Sequence, residues 1–127
     1  MTDTFTEDSF EEENSESLAT FIAEQLSAKK GEQISIMDLR GLTSLADFFV
    51  ICNGLSDVHV KTLADEISEK VRIEMGEKPW RREGLETRRW VVLDFVNVVV
   101  HIFKSDMREF YALEKMWGDA TVKNFED

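Results

Sequence analysis

The chain has 127 residues, 43% of them hydrophobic, which suffices for one core and one domain. With 15 basic and 26 acidic side chains its formal net charge is −11, so bulk attraction to a phosphate backbone is excluded and a basic protein is the better-matched partner. No apolar run approaches the roughly 18 residues a membrane helix needs, and the acidic N-terminus lacks the basic-then-apolar pattern of a signal peptide.

Residues 1–17 carry seven acids and no base, and residues 1–15 are expected to form a disordered acidic tail because they bury too little to offset chain entropy. The folded domain is expected over residues 16–120. Leu18, Phe21, Ile22 and Leu26 place an apolar stripe on a first helix, closed by Lys29, Lys30 and Gly31. Alternation from Gln33 to Leu39 predicts a strand. Ala46 to Cys52 is apolar on both faces, the pattern of a central strand covered on two sides. Cys52 lies within that run, so no disulfide framework is available, and a reducing, cytoplasmic setting is expected.

Asn53-Gly54-Leu55-Ser56 breaks the strand, with Ser56 suited to cap a helix and Asp57 to its first turn. Val60, Leu63, Ala64, Ile67 and Val71 define the inner face of that helix, which should end near Gly76, before Pro79. Residues 78–89 read as a loop with a short edge strand. Its Lys78, Arg81, Arg82, Arg88 and Arg89 form the one basic cluster, diluted by Glu83 and Glu86; a solvated loop is the simpler reading and a small contact to rRNA phosphate the sharper one.

Arg89–Asp94 and Val98–Phe103 are β-branched runs joined at Val96-Asn97, a hairpin pairing Trp90 with Phe103 and Asp94 with Val99. One face holds Val91, Leu93, Phe95, Val98, Val100 and Ile102, a continuous aliphatic surface. The other holds Trp90, Val92 and Asp94 beside Val99, His101 and Phe103. Two aromatic rings, a histidine and a carboxylate make an odd core and a candidate recognition surface, with Asp94 and His101 expected in solvent. Trp90 and Phe103 are equally compatible with a cover from the last helix. Ser105 is expected to cap that helix, whose Phe110, Leu113, Met116 and Trp117 make one apolar face, with Gly118 as its stop and residues 121–127 as a C-terminal tail. The order α-β-β-α-β-β-α describes a single α/β domain with a mixed sheet flanked by helices.

Metal binding is disfavoured by inventory: one cysteine and two histidines, His59 and His101, with no paired ligand spacing. Cys52 sits mid-strand, where a thiol is ordinarily inert packing. The rival reading is a nucleotide-binding or nucleotidyl-transferring enzyme using the Gly54-Leu55-Ser56 junction and Asp94. Two-metal chemistry needs paired carboxylates on one strand face, and Val92 stands where the partner of Asp94 would be.

Several ordered motifs together resemble one family. They are Asp38-Leu39-Arg40, Ala46 through Ser56, Glu83-Gly84, Trp90 through Phe95, Val99 through Phe103, and Arg108 through Trp117. This pattern is similar to that of the ribosomal silencing factors, related to plant Iojap, over about Leu18 to Ala120. The resemblance implies a nucleotidyltransferase-like fold without the enzymatic activity and with no cofactor. It implies a factor that binds large-subunit ribosomal protein L-fourteen at the intersubunit face, blocks joining of the small subunit and represses translation when nutrients are short. Trp90, Asp94, His101 and Phe103 on the hairpin, with Arg108 and Tyr111 on the adjoining helix, are the residues expected to meet the ribosomal protein. A homodimer is compatible with the sequence. Two departures stand out: Val96 replaces the glycine usual in the hairpin turn, and Leu55 replaces a small polar residue at the strand-to-helix junction.

Overall fold

A computed structural model describes residues 7–108 and 113–125 of the chain. The elements in chain order are α1 (Glu7–Ala28), β1 (Glu32–Asp38), β2 (Phe48–Gly54), α2 (Asp57–Met75), β3 (Arg81–Glu83), β4 (Trp90–Asp94), β5 (Val98–Lys104), α3 (Leu113–Met116) and β6 (Thr121–Asn124). The strands form one mixed sheet in the order β3-β4-β5-β2-β1-β6. The β2–β5 pair is parallel, and its neighbours on either side are antiparallel. This is the expected α/β domain, with β3 as the short edge strand of the 78–89 loop and one strand, β6, that the sequence pattern did not supply.

Every residue of β2 is buried, so both sheet faces over it must be covered. The covering layers differ. On the first face α1 and α2 lie over the sheet, and Leu18, Ile22 and Leu26 of α1 join Leu63, Ile67 and Val71 of α2 against Val50, Leu93, Val100 and Ile102. On the second face a smaller cluster of Met37, Leu39, Phe49, Ile51 and Phe103 packs under Leu113, with Met107, Trp117 and Ala120 partly buried around it. Cys52 points into the first layer, and burial pushes its thiol up to about 12, which removes it as a nucleophile near neutral pH.

The helix ends follow local chemistry. Ser56 is in an extended conformation and its hydroxyl accepts the His59 backbone N–H at 3.1 Å, capping α2 as its sequence implied. Gly76, at φ +70°, closes the same helix in the left-handed conformation. At the end of α1 that conformation is taken by Lys30, and the Gly31 N–H returns to the Leu26 carbonyl at 2.8 Å.

Three boundaries differ from the sequence reading. The backbone of α1 begins at Glu7, so residues 7–15 continue a helix instead of a tail, and Ser15 is buried. Residues 105–107 form a turn instead of the first turn of the last helix, and the described helical backbone after β5 is that of Arg108 and of α3. Thr121–Asn124, expected as tail, forms β6 against β1, and the Phe125 N–H reaches the Ile34 carbonyl at 2.8 Å. Its four residues are all exposed, so backbone pairing to an edge strand, invisible to hydrophobic patterning, holds it. No helix of the described residues is long and apolar enough to cross a membrane.

The hairpin has the anticipated register, Trp90 opposite Phe103 and Asp94 opposite Val99. Its turn solves the Val96 problem by strain: Val96 sits at φ +77°, a region a β-branched residue rarely adopts. The Asn97 N–H bonds the Phe95 carbonyl at 3.0 Å, and the Asp94 Oδ1 accepts the Val96 N–H at 2.8 Å. Val96→Gly should therefore stabilise the protein by about 1 kcal/mol, the relieved strain less the added freedom of the unfolded chain. Thermal unfolding of the pair of proteins checks this, and an unchanged or lower midpoint would mean the turn is not strained.

Candidate functional site

The second face of the hairpin is built by alternation: Trp90, Val92 and Asp94 on β4 point to the same side as Val99, His101 and Phe103 on β5. Gly84 brings the preceding loop close beneath it. This glycine lies at φ +84°, and a Cβ there would stand 2.0 Å from the Trp90 carbonyl oxygen, so a side chain would push Trp90 away.

Within the face the rings form a connected set. The Trp90 indole stacks on Phe103 with centroids 5.3 Å apart, and its Nε1–H donates to His101 Nδ1 at 3.0 Å. In the neutral imidazole that bond leaves the proton on Nε2. Nε2 is sealed from solvent without a hydrogen-bond partner, while the ring lies edge-on to Phe49 at 4.5 Å. Phe49 in turn meets Trp117 at 6.3 Å and 84°. Burial is the main influence on His101 and lowers its pKa to about 4, against a smaller opposing pull from Asp94.

The expected contact residues therefore divide. Phe103 is fully buried and His101 only 6% exposed, so the expectation of a solvent-facing histidine is corrected: the segment after β5 closes over both. Trp90 and Asp94 are only partly buried, and Val92 and Val99, which the sequence reading did not single out, are left partly open on the same face. Asp94 is engaged within the chain, by the turn bond to Val96 and by Arg81 of β3, whose Nη2 lies 3.5 Å from Oδ2. Arg108 does not join this set. Its guanidinium donates to the Gln33 carbonyl, to Ser35 Oγ at 3.1 Å and to Asn53 Oδ1 at 3.3 Å, tying the chain after β5 to β1 and β2. Tyr111 lies outside the described residues.

The enzyme alternative is not assembled. Gly54 pairs with Lys104 and Asp94 with Val99, five residues apart along β5, so the two ends are separated by roughly 16 Å at strand rise. The Ser56 hydroxyl is occupied as a helix cap. No group of three or more histidine, cysteine or acidic side chains able to hold a metal ion occurs among the described residues.

The family model described as "Ribosomal silencing factor during starvation" matches residues 12–127. The chain belongs to the ribosomal silencing factor family. It is 45% identical to the ribosomal silencing factor of Halalkalibacterium halodurans over 98 residues, which is 77% of this chain and 83% of that one. Against its counterpart in Bacillus subtilis it is 38% identical over 113 residues, covering 89% and 95% of the two chains. A crystal structure of a protein from Chromobacterium violaceum superposes with a TM-score of 0.77 at 33% identity, covering 81% of this chain and 85% of that one. The aromatic face thus sits in a chain of the ribosomal silencing factor family.

The buried imidazole has a stability consequence. Its folded pKa lies below the unfolded value near 6.5, so the unfolded chain binds the proton more readily. The stabilisation is complete above about pH 6.5 and falls as pH drops toward about 4, by about 3 kcal/mol in total. His101→Asn, which keeps an acceptor near Nδ1 but has no proton to take up, should lower stability at pH 7 yet lose less between pH 6.5 and 4. Denaturant unfolding across that range measures both slopes, and parallel slopes would contradict the buried neutral histidine.

Proposed function

We propose that this chain binds ribosomal protein L-fourteen at the intersubunit face of the large ribosomal subunit, excludes the small subunit and so represses translation when nutrients are short. The observation that carries the reading is the partly uncovered strip of Trp90, Val92, Asp94 and Val99 in a member of the silencing-factor family. A strip with a Trp at one end and a carboxylate at the other offers an apolar anchor and an orienting charge, the combination that concentrates binding energy in a few contacts. Phe103 and His101 act beneath it: the stack and the indole hydrogen bond hold the Trp90 ring in one orientation, which lowers the ordering cost of binding. The acidic balance of the chain favours association with a basic protein surface.

Two expectations follow. The protein should pellet with isolated large subunits and reduce the yield of joined ribosomes, whereas equal pelleting with small subunits would contradict the reading. Asp94→Asn preserves Oδ1 as the acceptor for the turn while removing the charge, so its thermal midpoint should stay near that of the parent. Its affinity for large subunits should fall by roughly tenfold, the scale of a lost charge-assisted contact. Undiminished affinity would remove Asp94 from the interface.

A further inference from the structure

We propose that the basic edge of the sheet around Trp80 is a stacking site for an unpaired nucleotide of RNA, set beside the Trp90–Asp94 strip; the ribosomal location of that RNA rests on the reading above. Trp80 is 66% exposed, the largest side chain left open among the described residues. It stands at the start of edge strand β3, its N–H bonded to the Asp94 carbonyl at 2.9 Å, so it adjoins the strip through the backbone. The Arg81 guanidinium lies over the indole, 5.3 Å from the ring centroid, which makes a cation-backed aromatic platform. Bases stack on such platforms irrespective of sequence, because every base has a π-face.

The charges around Trp80 sort by partner. Arg82 is paired with Asp65, Arg72 with Glu69, and Arg81 with Glu83 and Asp94. Lys78, two residues from Trp80, and Arg88 and Arg89 at the far end of the β3–β4 edge, make no ion pair among the described residues. They are exposed or partly exposed, at the two ends of an edge roughly 16 Å long by strand rise, and can meet phosphates on either side of a stacked base. The rest of the chain is acidic, but at physiological salt the screening length is about 8 Å, so local charge governs contact at this edge. The cluster is too small for general nucleic-acid binding. Its fit is to a strand of a few nucleotides with an accessible base, which a duplex does not offer.

The test is fluorescence anisotropy of a labelled, unstructured oligoribonucleotide titrated with the full chain. Saturable binding that weakens with salt is expected, together with a loss of about tenfold in Trp80→Ala and near-parental affinity in Trp80→Phe. Lys78→Glu should weaken binding, and Val58→Ala, exposed on α2, should leave it unchanged. An absence of saturable binding by the parent chain would overturn the proposal, as would equal affinity in Trp80→Ala. Labelled poly-glutamate bound with the same dependence on Trp80 would overturn it too, in favour of an acidic peptide. Pelleting of the parent chain with large subunits, run in parallel, separates the two claims. Pelleting without oligonucleotide binding removes this proposal alone, and failure to pellet removes the ribosomal reading whatever the oligonucleotide does.

Discussion

The architecture depends on one constraint, the burial of β2 on both of its faces. A strand reading Phe-Phe-Val-Ile-Cys-Asn-Gly cannot leave either side in water, and its parallel partner β5 is buried nearly as fully. Two long helices close the first face across the width of the central strands. Among the described residues the second face is closed by Leu39 and Ala46 of the β1–β2 loop and by the chain after β5, which must also supply β6 at the far edge beyond β1. Its cover reaches β1, β2 and β5 and thins out over β4. The partly open strip is thus what remains when a two-sided core is closed by unequal layers.

That inequality accounts for the chemistry of the strip. Where the cover is complete, Phe103 and His101 are core residues, and the imidazole is held neutral in a dry site with one nitrogen unpartnered. Where it thins, Trp90 and Asp94 are held in place from within, the indole by stacking and a hydrogen bond, the carboxylate by the turn and Arg81. A buried donor without a partner costs about 1–3 kcal/mol. The fold tolerates that cost at His101, whose other nitrogen fixes the Trp90 ring. Rigidity of a partly exposed aromatic side chain is what an interface anchor requires.

Much of this was legible in the sequence, for specific reasons. Two-sided apolarity marked β2, Ser56 and Gly76 bracketed α2, and alternation fixed the hairpin register down to the Trp90–Phe103 pair. The face itself was therefore visible, but its depth was not. Burial of His101 depends on the cover contributed by residues after β5, and no local pattern at position 101 encodes how far that cover extends. Arg108 illustrates the same limit: it resembled a helix-surface cation, yet its partners are Gln33, Ser35 and Asn53, more than fifty residues earlier. β6 escaped notice because its side chains are exposed and its stabilisation is backbone pairing. The start of α1 was misplaced because an acidic stretch reads as disorder until the helix it extends is known.

The central claim, that the thinly covered strip and not the helical layer is the face turned to the large subunit, is tested most directly by hydroxyl-radical footprinting of the protein free and bound to purified large subunits. The account predicts reduced oxidation of Trp90 and Val92 on binding, with Val58 and Ile73, exposed on α2, reacting as in the free protein. Protection of Val58 and Ile73 with unchanged reactivity at Trp90 would contradict it.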